Sequence, residues 1–233
     1  MSVFISLGII VLSILIMTFL TLTSGVFALF NHYAYGKYSR KKAETLTFYY
    51  ILGSETMSSC VFLSVYLLVA IAVADLSHLG TNIMTWILLG IIIALAFISL
   101  FFYYRHGPGT RLFIPRTVAN SLLHHAKTAK TRSDAFTLGA LSSTPELIFT
   151  LPLYIITSAE ILQLSTTHPG SSLLTVFYIV VPTIPLFIER WRFHLGHNLA
   201  DAARSRIHNK NFTRFFLCLN YFLIAFLIIS FRF

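Results

Sequence analysis

Apolar runs of about twenty residues recur along this chain, and nearly all of its lysines and arginines are gathered into the segments between them. A helical run of that length crosses about 30 Å of hydrocarbon at 1.5 Å per residue, and the alternation of a half-buried strand is absent. Of the 233 residues 56% are hydrophobic and 11% charged, and mean hydropathy is +0.78. That balance excludes an ordinary soluble domain. The fold class expected is an all-α membrane protein with six transmembrane helices, near residues 4–33, 46–74, 83–104, 136–158, 171–189 and 213–231.

The basic residues set the expected orientation. "GKYSRKKAE" holds Lys37, Arg40, Lys41 and Lys42, and the segments Arg105 to Arg132 and Arg190 to Arg214 hold six Lys/Arg each. Sixteen of seventeen basic residues thus fall in alternate loops, with Arg232 left over at the C-terminus. Basic residues concentrate on the cytoplasmic side, so both termini are expected outside a plasma or inner membrane. This segregation also accounts for the net charge of +9 without nucleic acid. The first apolar stretch lacks a basic n-region and is too long for a signal-peptide core, which reads as a retained helix.

Spans one to three then start outside and spans four to six inside, the arrangement of two inverted three-helix repeats. Residues 1–110 would hold the first repeat with the start of a cytoplasmic loop, and residues 111–233 the rest of that loop and the second repeat. "LTSGVFALF" at Leu22 to Phe30 can be set against "LSSTPELIF" at Leu141 to Phe149, although two unrelated apolar helices can align as well.

Two residues break the apolar rule. Glu55 and Glu146 each lie about ten residues past the basic end of their spans, roughly 15 Å deep. A carboxylate in hydrocarbon is costly and is by default a functional residue. Glu55 is flanked by Gly53, Ser54 and Thr56; Glu146 follows Ser143, Thr144 and Pro145. Small and hydroxyl-bearing neighbours, with proline removing a backbone donor, are expected to interrupt the helices there. Gly25, Gly53, Pro145, Pro152, Pro182 and Pro185 are the candidate breaks or hinges, and Ser54, Thr56, Ser143, Thr144 and Asn220 are candidates, with the two carboxyls, for binding a substrate or proton. The competing reading is structural: small residues let helices pack closely, and a buried Glu or Asn is satisfied by one interhelical hydrogen bond.

Other motifs carry less. Asp75 and Glu160 are expected at the outer interface, and Glu44 and Asp134 among basic loops. His124, His125, His194 and His197 form neither HxxxH nor HxxHH, so no metal cofactor is called for. "YRHGPGTR" reads as a linker, and aromatic runs such as "FFYY" at Phe101 to Tyr104 as an interfacial belt.

The pattern resembles the lysine-exporter superfamily, which includes amino-acid exporters, cadmium and manganese exporters and thiol-electron carriers. "TLTSGVF", "YGKYSRKK", a helix carrying "LGSE", a long basic segment and "LGALSSTPELIFTLPLYI" carry the resemblance. It implies a proton-coupled exporter of a cation or amino-acid-like solute, with Glu146 and Glu55 at the site. In the related electron carriers a cysteine stands where this chain has Glu146, and Cys60 and Cys218 do not make an obvious exchanging pair. Electron carriage and a non-catalytic scaffold are the alternatives. The expected partners are the lipid bilayer and a small solute or cation, with no nucleic acid; a homo-oligomer is left open.

Overall fold

The computed structural model describes residues 3–23, 25–75, 78–101, 116–167, 170, 172–194 and 210–232. Every element among them is helical: α1 (Val3–Thr23), α2 (Gly25–Lys37), α3 (Arg40–Asp75), α4 (His78–Phe101), α5 (Arg116–Thr128), α6 (Arg132–Ser143), α7 (Leu147–Thr167), α8 (Ser172–Val180), α9 (Ile184–His194) and α10 (Lys210–Arg232). Five stretches, Val3–Thr21, Arg40–Ala74, Arg132–Ser165, Leu173–Arg192 and Asn211–Ser230, are long and apolar enough to cross a membrane, and Thr85–Phe101 is a shorter apolar helix. Leu67, Leu68 and Ile71 on α3 point outward, a surface suited to lipid rather than water. "YRHGPGTR" and His197 lie outside the described residues.

Three details differ from the expectations. The basic segment between residues 105 and 132 contains α5, whose Leu122 and Ala126 are buried while His124, His125 and Lys127 face out. Asp134 is held by backbone rather than by surface cations: its carboxylate accepts from the N–H groups of Lys130 and Thr131 at 3.0 and 2.9 Å. Thr131 Oγ1 in turn accepts from Asp134 N, completing a capping box at the start of α6. Thirdly, no break forms at Gly53, which lies inside the unbroken α3.

Gly53 serves close packing instead. A methyl group there would collide with the Phe136 carbonyl, whose carbon is 2.8 Å from the Cβ position. Gly139 of α6 is the reciprocal case, against the Tyr50 carbonyl and, at 3.0 Å, Ser54 N. Glycines thus let two backbones touch, and α3 with α6 is the most extensive helix pairing among the described residues. The two run in the same direction, because Tyr50 meets Ser142, Ser54 meets Ser143 and, further along, Phe62 meets Tyr154 of α7.

Packing separates into two apolar clusters. One joins α1, the second half of α3, α4, α7, α8 and α10 around Ile9, Phe62, Leu153 and Tyr221. The other joins α2, the first half of α3, α5, α6 and Leu186 of α9 around Phe30, Tyr50 and Leu138. Basic residues gather beside the second: Lys42 lies over Tyr38, Lys127 over Tyr33, Arg132 over Tyr49 and Arg190 over Phe48. The Tyr38 hydroxyl, donating to the Ala129 carbonyl at 3.0 Å, ties two of these basic segments together.

The glycine crossing makes a direct expectation. Gly139→Ala should destabilise the detergent-solubilised protein by about 1–3 kcal/mol, the usual range for overpacking. Gly90→Ala, where an added methyl meets nothing within 4 Å, should leave the melting temperature unchanged or higher.

Candidate functional site

The two clusters do not meet directly. On α3, Ile51 belongs to one and Phe62 to the other, with Glu55 between; along α6 and α7, Leu138 and Phe149 flank Glu146; along α8 and α9, Tyr178 and Leu186 flank Pro182. A polar layer therefore lies between two apolar ones, and a cavity opens in it. Its wall includes Ser54, Glu55, Ser143 and Glu146, with Met17 and Thr21 from α1 and Tyr178, Pro182 and Thr183 from the α8–α9 segment. Its volume is about 30 Å³, room for one or two water molecules.

Two of the helices bordering the cavity are interrupted there, each by a three-residue 3₁₀ turn with proline at its centre: Thr144–Glu146 and Val181–Thr183. Proline cannot donate to the fourth carbonyl back, so the chain tightens to shorter bonds. The N–H of Thr144 reaches the Leu141 carbonyl and that of Leu147 the Thr144 carbonyl. Across the cavity the N–H of Ile184 reaches the Val181 carbonyl, and the Thr183 hydroxyl donates to the Val180 carbonyl at 2.7 Å. Pro152 behaves differently: it stays within α7 without ending it. Pro185 is the second residue of α9, where its fixed φ suits a helix start. Gly25 is the first residue of α2.

Hydroxyls stitch α3 to α6 at the cavity's edge. Ser54 Oγ and Ser143 Oγ are 2.9 Å apart, the Tyr50 hydroxyl donates to Ser142 Oγ at 2.7 Å, and Ser142 Oγ donates to the Gly139 carbonyl at 2.7 Å. Glu55 accepts a long bond from Ser59 one turn on, at 3.3 Å. Thr56, Thr144 and Asn220 are not in the wall. Thr56 is one residue past Glu55, turned about 100° around the helix, and its exposed hydroxyl donates to its own Leu52 carbonyl. Thr144 is exposed. Asn220 is buried in α10, where its amide donates to the Phe216 carbonyl at 2.8 Å; its own helix satisfies it.

The wall also contains residues that sequence reading passes over. Thr150 and Tyr154 follow Glu146 at intervals of four, on one face of α7, and Ser58, Ser59 and Phe62 follow Glu55 on one face of α3. That spacing is the signal that could have found them. The Thr150 and Tyr178 hydroxyls are enclosed and make no well-formed hydrogen bond within the protein, lying beside the Tyr154 and Thr157 hydroxyls respectively. Buried hydroxyls are seldom left so, because the lost bond costs about 1–3 kcal/mol. Both line a cavity whose wall, among the described residues, holds two carboxyl groups and no Lys, Arg or His. What would satisfy such a wall is a small, oxygen-binding occupant.

Glu160, expected at the outer interface, is 1% exposed and packed between helices, where Ser6 Oγ of α1 donates to its Oε2 at 2.7 Å. It is carried by α7, which continues to Thr167. Cys60 is an exposed free thiol and Cys218 a buried one.

Comparison with family models, curated proteins and solved structures finds no match to this chain.

A double-mutant cycle on Ser54→Ala and Ser143→Ala should return a coupling of about 0.6 kcal/mol, typical of interhelical side-chain bonds in membranes. Thermal unfolding of the two single variants and the double variant measures it.

Proposed function

We propose that this chain is a secondary transporter of the membrane, an exporter that exchanges a divalent cation for protons at Glu55 and Glu146. The observation that carries the reading is the convergence of these two carboxyl groups, far apart in sequence, on one small polar cavity where two helices are interrupted. Transporters place solute sites at such interruptions near the bilayer midplane, because unwound backbone and carboxylates there replace water around an ion. The cavity's size favours a cation over an amino acid, which would need several times about 30 Å³. Two carboxylates balance a divalent charge, and carboxyl and hydroxyl oxygens suit hard cations such as Mg²⁺, Ca²⁺ or Mn²⁺.

The remaining architecture extends the same reading. Six spans, both termini outside and two inverted halves divided near residue 110 would place the site between repeats, and alternating access would be a rocking of one half against the other. Convergence of three basic segments beside one apolar cluster supports a single cytoplasmic end. Resemblance to the lysine-exporter superfamily agrees with an exporter. A scaffold, favoured by the Ser54–Ser143 stitching, is the second reading.

Melting temperature separates the two. MnCl₂, CaCl₂ or MgCl₂ should raise it, by about 2.7 kcal/mol of added stability at a hundred times Kd, while lysine and other amino acids should not. The rise should disappear in Glu146→Gln and Glu55→Gln and shrink at low pH, where protons compete for the carboxylates. A scaffold would show no cation-dependent rise, and variants retaining the full rise would remove the carboxyls from the site.

A further inference from the structure

We propose that Glu160 is a second proton-exchanging carboxyl, joined to the Glu55–Glu146 cavity by a file of buried hydroxyls, and that it carries the proton side of the exchange. This rests on the exchanger reading above.

Glu160 lies fourteen residues beyond Glu146, about 21 Å along the chain at helical rise. Between them α7 carries Thr150, Tyr154 and Thr157, so that the series from Glu146 to Glu160 advances in steps of four, four, three and three on one face. The side chains interlock with neighbouring helices. The Tyr154 hydroxyl stands next to Ser58 of α3 and to Thr150, and it feels both Glu55 and Glu146. Tyr178 of α8 stands next to Tyr154 and Thr157. Thr157 is one turn from Glu160, whose carboxylate is met by Ser6 of α1.

Several of these hydroxyls are poorly satisfied: those of Thr150, Thr157 and Tyr178 are buried and make no well-formed hydrogen bond within the protein, although Thr150 lies beside the Tyr154 hydroxyl and Thr157 beside that of Tyr178. A run of poorly satisfied hydroxyls along one seam is costly to maintain if its only task is packing, since valine or phenylalanine would fill the same space without an unsatisfied group. A hydroxyl can accept a proton on one lone pair and release its own on the other side. Passed along the file with small rotamer shifts or bridging water, one proton leaves the Glu160 carboxyl and one arrives at a cavity carboxylate, and the Glu160 carboxylate then takes a replacement proton from the aqueous medium at its end of the bundle. Two such transfers, each followed by that reprotonation, neutralise Glu55 and Glu146 and release one divalent cation, so two protons from the medium are exchanged for one divalent cation and the exchange is electroneutral.

The titratable groups bordering this seam among the described residues are Glu55, Glu146, Glu160 and the tyrosines Tyr154, Tyr178 and Tyr221, the last donating to the Phe149 carbonyl at 3.2 Å. A solute path and a proton path would then meet at the cavity and leave it separately.

The test uses the purified full chain in proteoliposomes, with MnCl₂ as probe and a pH-sensitive dye inside. Glu160→Gln should keep the MnCl₂-induced rise in melting temperature, while proton-driven Mn²⁺ movement falls about a hundredfold, as when a positioned proton-transfer group is removed. Thr157→Val should slow it severalfold and Thr157→Ser restore it. Exchange at the wild-type rate in Glu160→Gln would overturn the proposal, and so would loss of the MnCl₂ response, which would make Glu160 part of the cation site or the fold.

A wild-type protein that moves no Mn²⁺ would sink the exchanger reading, and a separate readout then decides the fate of Glu160. Infrared difference spectra of the solubilised protein should contain a carboxylic-acid carbonyl band that titrates, shifts in D₂O, vanishes in Glu160→Gln and exchanges more slowly in Thr157→Val. Absence of a band with that dependence overturns the proposal whatever the transport result.

Discussion

The contact of α3 with α6 at Gly53 and Gly139 is the constraint on which the rest of the molecule depends. Each glycine faces a backbone carbonyl of the other helix, so the two axes approach more closely than side chains would permit, and dispersion contacts replace the hydrophobic drive that lipid does not supply. Only at that separation do Ser54 and Ser143 come within 2.9 Å. One residue past Ser54 is Glu55, and three past Ser143 is Glu146. The glycine crossing is thus what brings two carboxyl groups from separate regions of the chain to one cavity.

Apolar packing above and below the cavity makes the arrangement tolerable. Phe62, Tyr154 and Tyr178 pack edge-to-face and tilted on one side, and Phe27 and Phe30 pack against Tyr50 on the other. These rings border the polar groups of the cavity on both sides. The prolines of the two 3₁₀ turns lie in the same layer. Irregular backbone among apolar helices is admissible where protein or a cavity surrounds it, and here both do.

The aromatic and basic residues at the other cluster act differently. Lys42, Lys127, Arg132 and Arg190 each cover an aromatic ring, an attraction of about 0.5–1 kcal/mol at exposed sites. Each is small, but together they bind three distant segments of chain at one end of the bundle. Amphipathic α5, with Leu122 and Ala126 turned inward, closes that end over α2 and α6.

Composition and periodicity alone determined that the chain is helical and apolar enough to enter a membrane, because runs of about twenty uncharged residues admit little else. Glu55 and Glu146 stood out for the same reason, and proline chemistry marked Pro145 and Pro182 as interruptions. Tertiary structure decided the remainder. Glycine weakens an isolated helix, so Gly53 suggests a break, yet a neighbouring backbone rewards its missing side chain. Polarity alone would send Asn220 and Thr56 to the cavity, yet each bonds its own helix. The burial of Glu160, Thr150 and Tyr178 is not legible in the sequence: a hydroxyl or a carboxyl near a helix end is ordinary until the packing of α1 and α8 against α7 is known. Residue type states what a group must find, a partner or water, but only the packing of helices distant in sequence states which of the two it finds.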